Sequence, residues 1–238
     1  MHILPTHTAT PEKNMALDLL MLEAYPCPEV PRFRFYGWSL PSWTFGYTQK
    51  WSTQHDIIQS MAVKVVRRST GGGLVDHFHD WTYALVIPAT HPLFGEQAEA
   101  CYKAVHSVLA GVLNTVGCPA KLKLAGEAPV ADDQAVNTTT LSVCFERAER
   151  YDVIGEGGAK LAGAAQKRTR DGLLMEGSIN RQAVGSIDET AFAELFPQEL
   201  AKALGSEPQP VDFPEFDAKR MDALVERMGS DTWNRGKG

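Results

Sequence analysis

Three consecutive glycines, residues 71–73, directly follow two cations and two small hydroxyl residues in the segment that begins with Arg67 and Arg68. A glycine run costs conformational entropy, so a chain keeps it where the backbone needs a positive φ or a close approach. Apolar, strand-like runs stand on either side, at residues 61–66 and 83–87. The pattern predicts a turn between two strands that cradles an anionic or carbonyl-bearing ligand. The spacing matches neither the dinucleotide-binding fingerprint nor the P-loop.

Cys144 and Lys160 have the residue types of a nucleophile and of the cation that activates it. A thiol needs a nearby cation or base to become a thiolate at neutral pH. Lys160 opens an otherwise small and apolar run, residues 160–166, where a lysine is unusual. Two plainer interpretations stay open: Cys144 as a small buried hydrophobic residue, and Lys160 as a solvent-facing lysine on a strand.

His77, His79 and Asp80 form a second polar group after the glycines. As a metal site the group is weak, because no further cluster of ligand residues accompanies it. A catalytic pair between a histidine of this group and Cys144 is one interpretation. Hydrogen bonding to the local backbone near a turn is the other.

Composition limits the class of protein. The chain has 238 residues with 44% hydrophobic and 22% charged residues, which predicts one domain over residues 1–238. No apolar run approaches about 20 residues, and residues 1–14 are polar, so we expect a cytoplasmic protein without a membrane span. The net charge of −6 argues against nucleic-acid binding. The cysteines lie far apart without metal spacing, which favours free thiols: Cys27, Cys101, Cys118 and Cys144.

Hydrophobic periodicity predicts the elements that must hold these residues. The helices are expected at residues 15–25, 54–61, 96–116 and 218–228. The strands are expected at residues 32–38, 43–47, 63–67, 82–87, 121–124 and 172–179, with a hairpin formed by residues 151–154 and 160–166. A long loop is expected at residues 125–140, and the chain after residue 180 is expected to be helical with proline breaks. Because strands and helices mix without regular alternation, the pattern favours an α+β fold.

Two motifs in order resemble the lipoate–biotin protein ligase superfamily. Residues 67–84 follow the pattern Arg-Arg-x-(Ser/Thr)-Gly-Gly-(Gly/Arg)-x-Val-x-His, continuing to a Thr-Tyr-(Ser/Ala) strand. Residues 151–153 and 160–168 follow the pattern Tyr-(Asp/Glu)-(Val/Leu), then Lys-(Leu/Val/Ile)-Ala-Gly-(Ser/Ala)-Ala-Gln-x-Arg. The chain departs from the family where Glu176 stands, since members commonly have His or Gln there.

The resemblance implies an α+β fold with a mixed, largely antiparallel sheet flanked by helices, like the catalytic domain of biotin and lipoate protein ligases and of class II aminoacyl-tRNA synthetases. It also implies that Cys144 and Lys160 are catalytic. The substrate-binding residues that it implies are Arg67, Arg68, Thr70, Gly71, Gly72, Gly73, His77, Asp80, Gly163, Ala164 and Gln166.

Two activities compete within the superfamily. Lipoate ligases use ATP to form an acyl-adenylate, whereas octanoyltransferases carry a Cys-Phe pair before the Tyr-(Asp/Glu) strand and use that cysteine for a thioester. Cys144 and Phe145 stand at that place, which favours a transferase in lipoate biosynthesis. An ATP-dependent lipoate ligase and a non-catalytic module that binds lipoate or an acyl protein are the alternatives.

The transferase needs no cofactor, whereas the ligase would need ATP and Mg²⁺. The implied partners are an acyl carrier protein as donor, and as acceptors the lipoyl domains of 2-oxoacid dehydrogenases or the glycine-cleavage H protein; the protein itself is expected to be a monomer. An acidic donor would need a local basic patch, for which we propose Lys167, Arg168 and Arg170. The walls of an acyl tunnel are expected at Trp38, Leu74 and Val75.

Overall fold

The computed structural model describes residues 1–52, 63–125 and 148–236. In chain order its strands are β1 (His2–Ile3), β2 (His7–Ala9), β3 (Arg32–Trp38), β4 (Ser42–Phe45), β5 (Lys64–Arg67), β6 (Leu74–Asp76), β7 (Asp80–Pro88), β8 (Lys121–Leu122), β9 (Val153–Ile154), β10 (Lys160–Thr169), β11 (Gly172–Asn180) and β12 (Gln209–Pro210). Its α-helices are α1 (Pro11–Glu23), α2 (Pro92–Gly95), α3 (Ala98–Thr115), α4 (Arg181–Val184), α5 (Glu189–Ala203), α6 (Ala218–Gly229) and α7 (Asp231–Arg235).

The main sheet has the strand order β12-β1-β3-β7-β11-β10-β9-β8, with β2 paired beside β3. The run from β3 to β8 is antiparallel throughout. The pairs β12–β1, β1–β3 and β2–β3 are parallel. The predicted mixed, largely antiparallel sheet is therefore confirmed.

Helices cover both faces of the main sheet, which explains why its central strands are continuously apolar. On one face, Leu173 and Met175 of β11 pack with residues of α3 and α5. On the other face, Leu174 packs with α1 and with Met228 of α6. Because side chains alternate along a strand, Glu176 faces the α1 side together with Leu174.

A small sheet of order β5-β4-β6 carries the glycines. Residues 71–73 form the glycine turn, which connects β5 to β6. Gly46 directly follows β4, where a Cβ atom would lie 2.0 Å from the carbonyl oxygen of Gly72. The glycine turn therefore packs backbone against backbone on the end of β4, and this close approach ends the strand before the predicted residue 47.

Most predicted elements occur within about two residues of their expected bounds. The differences include several short elements that were not predicted, among them β1, β2, β12 and α2. Helix α1 begins at Pro11 because Thr10 caps it and proline suits the first helical position. The short strand β6 was not predicted. Helix α5 continues through Pro197, which was expected to break it, because Phe192 and Phe196 bury its apolar side against α3 and the sheet.

The predicted helix at residues 54–61 lies outside the described residues, as does the loop at residues 125–140 apart from Ala125. Among the helices of the described ranges, none has the length and apolar character needed to cross a membrane. Cys27, Cys101 and Cys118 are free thiols in the described structure.

Candidate active site

A cleft on the α1 side of the main sheet encloses about 520 Å³ of space, its open mouth included. Its apolar lining comes from Met15, Tyr36, Trp38, Val75, Ala164 and Ala165. Its polar lining comes from Thr44, Arg68, His77, Thr82, Lys160, Glu176 and Ser178. The three glycines Gly72, Gly163 and Gly177 complete the wall. A largely apolar cleft with polar groups at defined places suits a ligand with an apolar chain and a polar end.

Lys160 reaches the cleft from the first residue of β10 and pairs with Asp152. The distance from Lys160 Nζ to Asp152 Oδ2 is 2.8 Å, and the two side chains are 7% and 8% exposed. Asp152 Oδ2 also accepts a hydrogen bond of 2.7 Å from the backbone N–H of Glu149. Lys160 is therefore a cation held in one place by a buried carboxylate, not a solvent-facing lysine.

Tyr151, the residue before Asp152, has a backbone φ of +67°, which is uncommon for a residue with a side chain. His106 of α3 is fully buried, and its Nδ1 lies 2.6 Å from the Tyr151 carbonyl oxygen. Because a carbonyl can only accept, Nδ1 carries the proton and Nε2 does not. Burial lowers the pKa of His106, which fits a neutral ring. His106 thus fixes the backbone conformation that directs Asp152 towards Lys160.

Gly163 leaves the space that the Lys160 side chain occupies. A Cβ atom at Gly163 would lie 2.8 Å from Lys160 Cε, 2.9 Å from Lys160 Nζ and 3.2 Å from Asp152 Oδ1. The irregular register between Lys160 and Ala162 lets the lysine fold back over this glycine. Gly163 is therefore required for the ion pair to lie against the strand.

Arg68 fixes the glycine turn. Its Nε donates to the Gly71 carbonyl at 3.0 Å, and its Nη2 donates to the carbonyls of Gly71 at 2.6 Å and Gly73 at 2.8 Å. Gly72 has φ of +85°. Within the described residues, the N–H groups of these three glycines donate no hydrogen bond. Arg68 therefore binds the carbonyl groups of the glycine turn, and the N–H groups of the turn can donate to a ligand. Such a turn is a concave binding site for a negatively charged oxygen.

His77 is held by a chain of hydrogen bonds at the side of the cleft. Arg68 Nη1 donates to Thr44 Oγ1 at 3.1 Å, which leaves the single hydroxyl proton of Thr44 for His77 Nε2 at 2.9 Å. His77 Nδ1 then donates to Asp80 Oδ2 at 2.8 Å. The Trp38 ring stacks on the imidazole with a centroid distance of 4.1 Å. Because its ring nitrogens are both engaged, His77 is oriented as a fixed part of the wall.

Glu176 lines the cleft and belongs to a buried polar cluster. Thr70 Oγ1 donates to Glu176 Oε2. Asp18 of α1 accepts from Arg34 Nη2 at 2.7 Å and from the Tyr36 hydroxyl at 3.1 Å. Burial, together with the negative charge of Asp18, raises the pKa of Glu176 to about 8. Burial raises the pKa of Asp18 as well, but the direct pair with Arg34 favours the charged form of Asp18, so Glu176 is the member of the pair that holds a proton more strongly.

The sequence model of the lipoyl protein ligase A/B catalytic domain family matches residues 10–212, which include all of the cleft residues described above. The chain belongs to the lipoyl protein ligase A/B catalytic domain family. The prediction of an enzyme of the lipoate–biotin protein ligase superfamily is thereby confirmed.

Relatives named octanoyltransferase LipM share much of the sequence. The protein of Macrococcus caseolyticus is 32% identical over 194 residues, covering 80% of this chain and 68% of the relative. That of Bacillus cereus is 31% identical over 196 residues, covering 81% and 69%. That of Staphylococcus aureus is 25% identical over 266 residues, covering 96% and 95%.

Solved structures of lipoyl protein ligase family members share the fold. A lipoate-protein ligase A bound with ATP superposes with a TM-score of 0.72 at 15% identity, covering 100% of this chain and 98% of that one. A bipartite lipoate protein ligase from Thermoplasma acidophilum gives 0.69 at 15% identity, covering 100% and 96%. The predicted resemblance of the fold to ligase catalytic domains is confirmed.

The structure brings about half of the predicted family site residues to the cleft: Arg68, Gly72, His77, Lys160, Gly163 and Ala164. Four others support that wall from behind, namely Thr70, Gly71, Gly73 and Asp80. Of the expected tunnel walls, Trp38 and Val75 line the cleft, whereas Leu74 does not. Cys144 and Phe145 lie outside the described residues.

Arg67 and Gln166 take positions away from the cleft. The fully buried Arg67 donates to the backbone carbonyls of Gly46, Tyr47, Gln49, Trp233 and Asn234. Gln166 Nε2 donates to the Ala98 carbonyl at 3.2 Å, on the α3 side of the sheet. Arg67 therefore joins the segment after β4 to α7, and alternation along β10 turns Gln166 to the other face of the sheet. The substrate contacts expected of both residues stay predictions.

Sequence reasoning missed Asp18, Asp152 and Glu176 as members of the site. Asp18 is a charged residue in an otherwise apolar helix, which is a readable signal for burial with a partner. Asp152 stands inside the second family motif, yet only the fold shows that it meets Lys160. Glu176 was noticed as a departure from the family pattern, and its contact with Thr70 links residues 106 positions apart.

Proposed function

We propose that this chain is an octanoyltransferase that moves an octanoyl group from an acyl carrier protein, through a thioester on Cys144, to a lysine of a lipoyl domain or of the glycine-cleavage H protein. The observation that carries the proposal is the identity of 31–32% with relatives named octanoyltransferase LipM over about four-fifths of this chain. The Cys144-Phe145 pair ahead of Tyr151 supports the same choice.

In the first step the Cys144 thiolate attacks the carbonyl carbon of the octanoyl thioester. The new C–S bond forms as the carbonyl π electrons move to oxygen, and the tetrahedral intermediate then expels the carrier thiolate, which takes up a proton. Lys160, held by Asp152 at 2.8 Å, is the cation we assign to the stabilisation of both the thiolate and the oxyanion. The available N–H groups of the glycine turn are further oxyanion donors.

In the second step the neutral amine of the acceptor lysine attacks the acyl-cysteine carbonyl. The C–N bond forms, the amine loses a proton, and the Cys144 thiolate leaves. Exchange of one thioester for another is nearly neutral, and amide formation from a thioester is downhill. The reaction as proposed therefore uses no nucleotide and no metal ion.

The apolar part of the cleft is where we place the acyl chain. Met15, Tyr36, Trp38 and Val75 supply a surface for its methylene groups. At about 0.8 kcal/mol for each buried CH₂ group, an eight-carbon chain gains several kcal/mol of binding free energy. Lys160 and the glycine turn are the polar groups that we assign to the carbonyl end of the chain.

An ATP-dependent lipoate ligase is the second candidate, because the same glycine N–H groups also suit a phosphate of an acyl-adenylate. Intact-mass measurement separates the two functions. The protein is incubated with octanoyl-acyl carrier protein alone, and in parallel with lipoate, ATP and Mg²⁺ under a pyrophosphate assay.

The proposal expects an octanoyl adduct in the first arm that is absent in Cys144→Ala and retained in Cys27→Ala, a control for an exposed thiol. Pyrophosphate release that depends on lipoate, without a covalent adduct, would show that the protein is a ligase and not a transferase. Ligand binding without turnover in either arm would indicate a binding module.

For donor docking we propose the basic cluster formed by Lys167 and Arg170. Lys167 Nζ lies 5.2 Å from the centre of the Tyr47 ring, beside the glycine turn, and the Arg170 side chain is 94% exposed. Arg168, by contrast, donates to the Phe94 carbonyl and is part of the α2–β10 contact. Charge reversal at Lys167 and Arg170 should lower the acylation rate and its salt dependence, whereas Lys219→Glu should not. Equal acylation rates in wild type, the charge-reversed variant and Lys219→Glu would show that the donor docks on another surface.

A further inference from the structure

Glu176 places a buried carboxyl group on the wall of a cleft that otherwise suits an apolar chain. We propose that Glu176 is a specificity-determining and positioning residue: as a neutral carboxyl group it holds the glycine turn through Thr70 and keeps its part of the cleft wall uncharged, so that the cleft accepts an apolar acyl chain. The identity of the chain as octanoyl rests on the proposed function, whereas the role of Glu176 rests on its contacts.

The positioning part follows from the contacts of Thr70. Its hydroxyl donates to Glu176 Oε2, and its carbonyl oxygen accepts from the Tyr47 N–H at 2.7 Å. Thr70 directly precedes the glycine turn, so its two bonds fix the turn to β11 and to the end of β4. Loss of the Glu176 contact would free one of these two attachments.

The specificity part follows from the charges around Glu176. Asp18 faces it from α1, and the hydrogen bonds from Arg34 and Tyr36 of β3 favour the charged form of Asp18 against the burial that raises its pKa. Arg68 and Thr70 face Glu176 from the segment after β5. Burial and the Asp18 charge outweigh the opposing effect of Arg68 and raise the pKa of Glu176 to about 8. The carboxyl group is therefore uncharged at neutral pH and becomes charged just above it.

Ionisation of Glu176 would put a negative charge on the cleft wall next to that of Asp18. An ionised carboxylate has to keep water or a cation beside it, and an apolar chain supplies neither. The protonated protein should therefore bind the chain more tightly than the ionised protein. By linkage, the bound chain should raise the pKa of Glu176 further.

The test is octanoic acid binding by calorimetry between about pH 6.5 and 9.5, where the ligand itself stays ionised. Wild type, Glu176→Gln and the exposed control Glu194→Gln are compared. The proposal expects the affinity of wild type and of Glu194→Gln to fall with pH, approaching about tenfold per pH unit above pH 8. Glu176→Gln, which cannot ionise, should show a flat profile. The same slope in Glu176→Gln and wild type would overturn the proposal, and so would the absence of binding at any pH.

A second measurement needs no substitution. In wild-type protein labelled with ¹³C at the glutamate carboxyl carbons, one resonance should titrate near pH 8 and should shift to higher pH when octanoic acid is added. Titration of every glutamate below pH 7 would overturn the proposal. The octanoyl-transfer assay is run separately, so a protein that forms no adduct but shows this titration contradicts the proposed function and leaves the role of Glu176 standing.

Discussion

Lys160 Nζ and Asp152 Oδ2 lie 2.8 Å apart in a pair that is almost closed to solvent. The carboxylate comes from the segment just before β9 and the ammonium from the first residue of β10, so the hairpin itself brings the two charges together. A buried charge is tolerated when it has a partner and hydrogen bonds, and Asp152 has both. The pair therefore holds the ammonium group at a fixed place on the cleft wall.

Lys160→Met should therefore abolish most acyl transfer. Removal of a charge that stabilises an oxyanion costs about 10²–10³-fold in rate, and the unpaired Asp152 should lower the free energy of unfolding by about 3 kcal/mol. Acylation kinetics by intact mass and urea denaturation measure the two effects. Lys103→Met on α3, an exposed lysine, is the control and should change neither. A Lys160→Met protein that retains the wild-type acylation rate would remove Lys160 from the mechanism.

Gly163→Ala should displace the lysine without removing it. The new Cβ atom would lie within 3 Å of Lys160 Cε and Nζ, which is closer than real Cβ contacts. We expect a loss of at least about tenfold in acylation rate, since small misplacements of a catalytic group are costly. Gly111→Ala in α3 is the matched control: its Cβ meets nothing within 4 Å, and it should stabilise the helix by about 1 kcal/mol. Equal acylation rates in the two variants would contradict the role given to Gly163.

Glu176 should make the free protein less stable as pH rises through the neutral range. Its folded-state pKa of about 8 is above the ordinary value of 4.5. The stability that its proton supplies is complete below the ordinary pKa and is lost as pH rises through the folded-state pKa. Between about pH 5.5 and 7.5, wild type should lose up to about 1.4 kcal/mol per pH unit relative to Glu176→Gln.

Urea denaturation of both proteins across that range measures this difference. Above about pH 8.5 the two curves should run parallel, because the group is then ionised in both the folded and the unfolded states. Parallel curves over the whole range would show that Glu176 does not hold a proton in the folded protein.

Arg67→Lys should affect stability more than catalysis. The guanidinium donates to carbonyls of Tyr47 and Gln49 after β4 and of Asn234 in α7, and an ammonium group cannot reproduce its planar fork. We expect a loss of about 2–3 kcal/mol in the free energy of unfolding, with the acylation rate of the folded protein within about twofold of wild type. A large loss of acylation rate at unchanged stability would restore Arg67 as a substrate-binding residue.

The sequence predicted the elements well where hydrophobic pattern and local chemistry agree. Strand β3 was predicted with its observed bounds, and the hairpin that carries Lys160 was predicted as a pair. Strand β6, only three residues long, was not predicted, because so short a run carries too little periodicity.

The parts of the site that the sequence could not predict depend on contacts between distant segments. The fold shows that His106 holds the Tyr151 carbonyl and that Thr70 meets Glu176. Arg67 illustrates the reverse: its place beside a ligand-binding motif predicted a substrate contact, whereas its partners are backbone carbonyls of distant segments. The motif therefore predicted which segment lies at the site, but it did not predict which of its residues face the cleft.

Acyl transfer through a Cys144 thioester is tested by a chase of the isolated acyl-enzyme. Protein acylated by octanoyl-acyl carrier protein is freed of donor and mixed with an unmodified lipoyl domain, without ATP or Mg²⁺, and both proteins are weighed by intact mass over time. We expect the octanoyl group to leave Cys144 and to appear as an amide on the lipoyl-domain lysine in equal amount. An acyl-enzyme that persists or hydrolyses while the lipoyl domain stays unmodified would contradict this expectation.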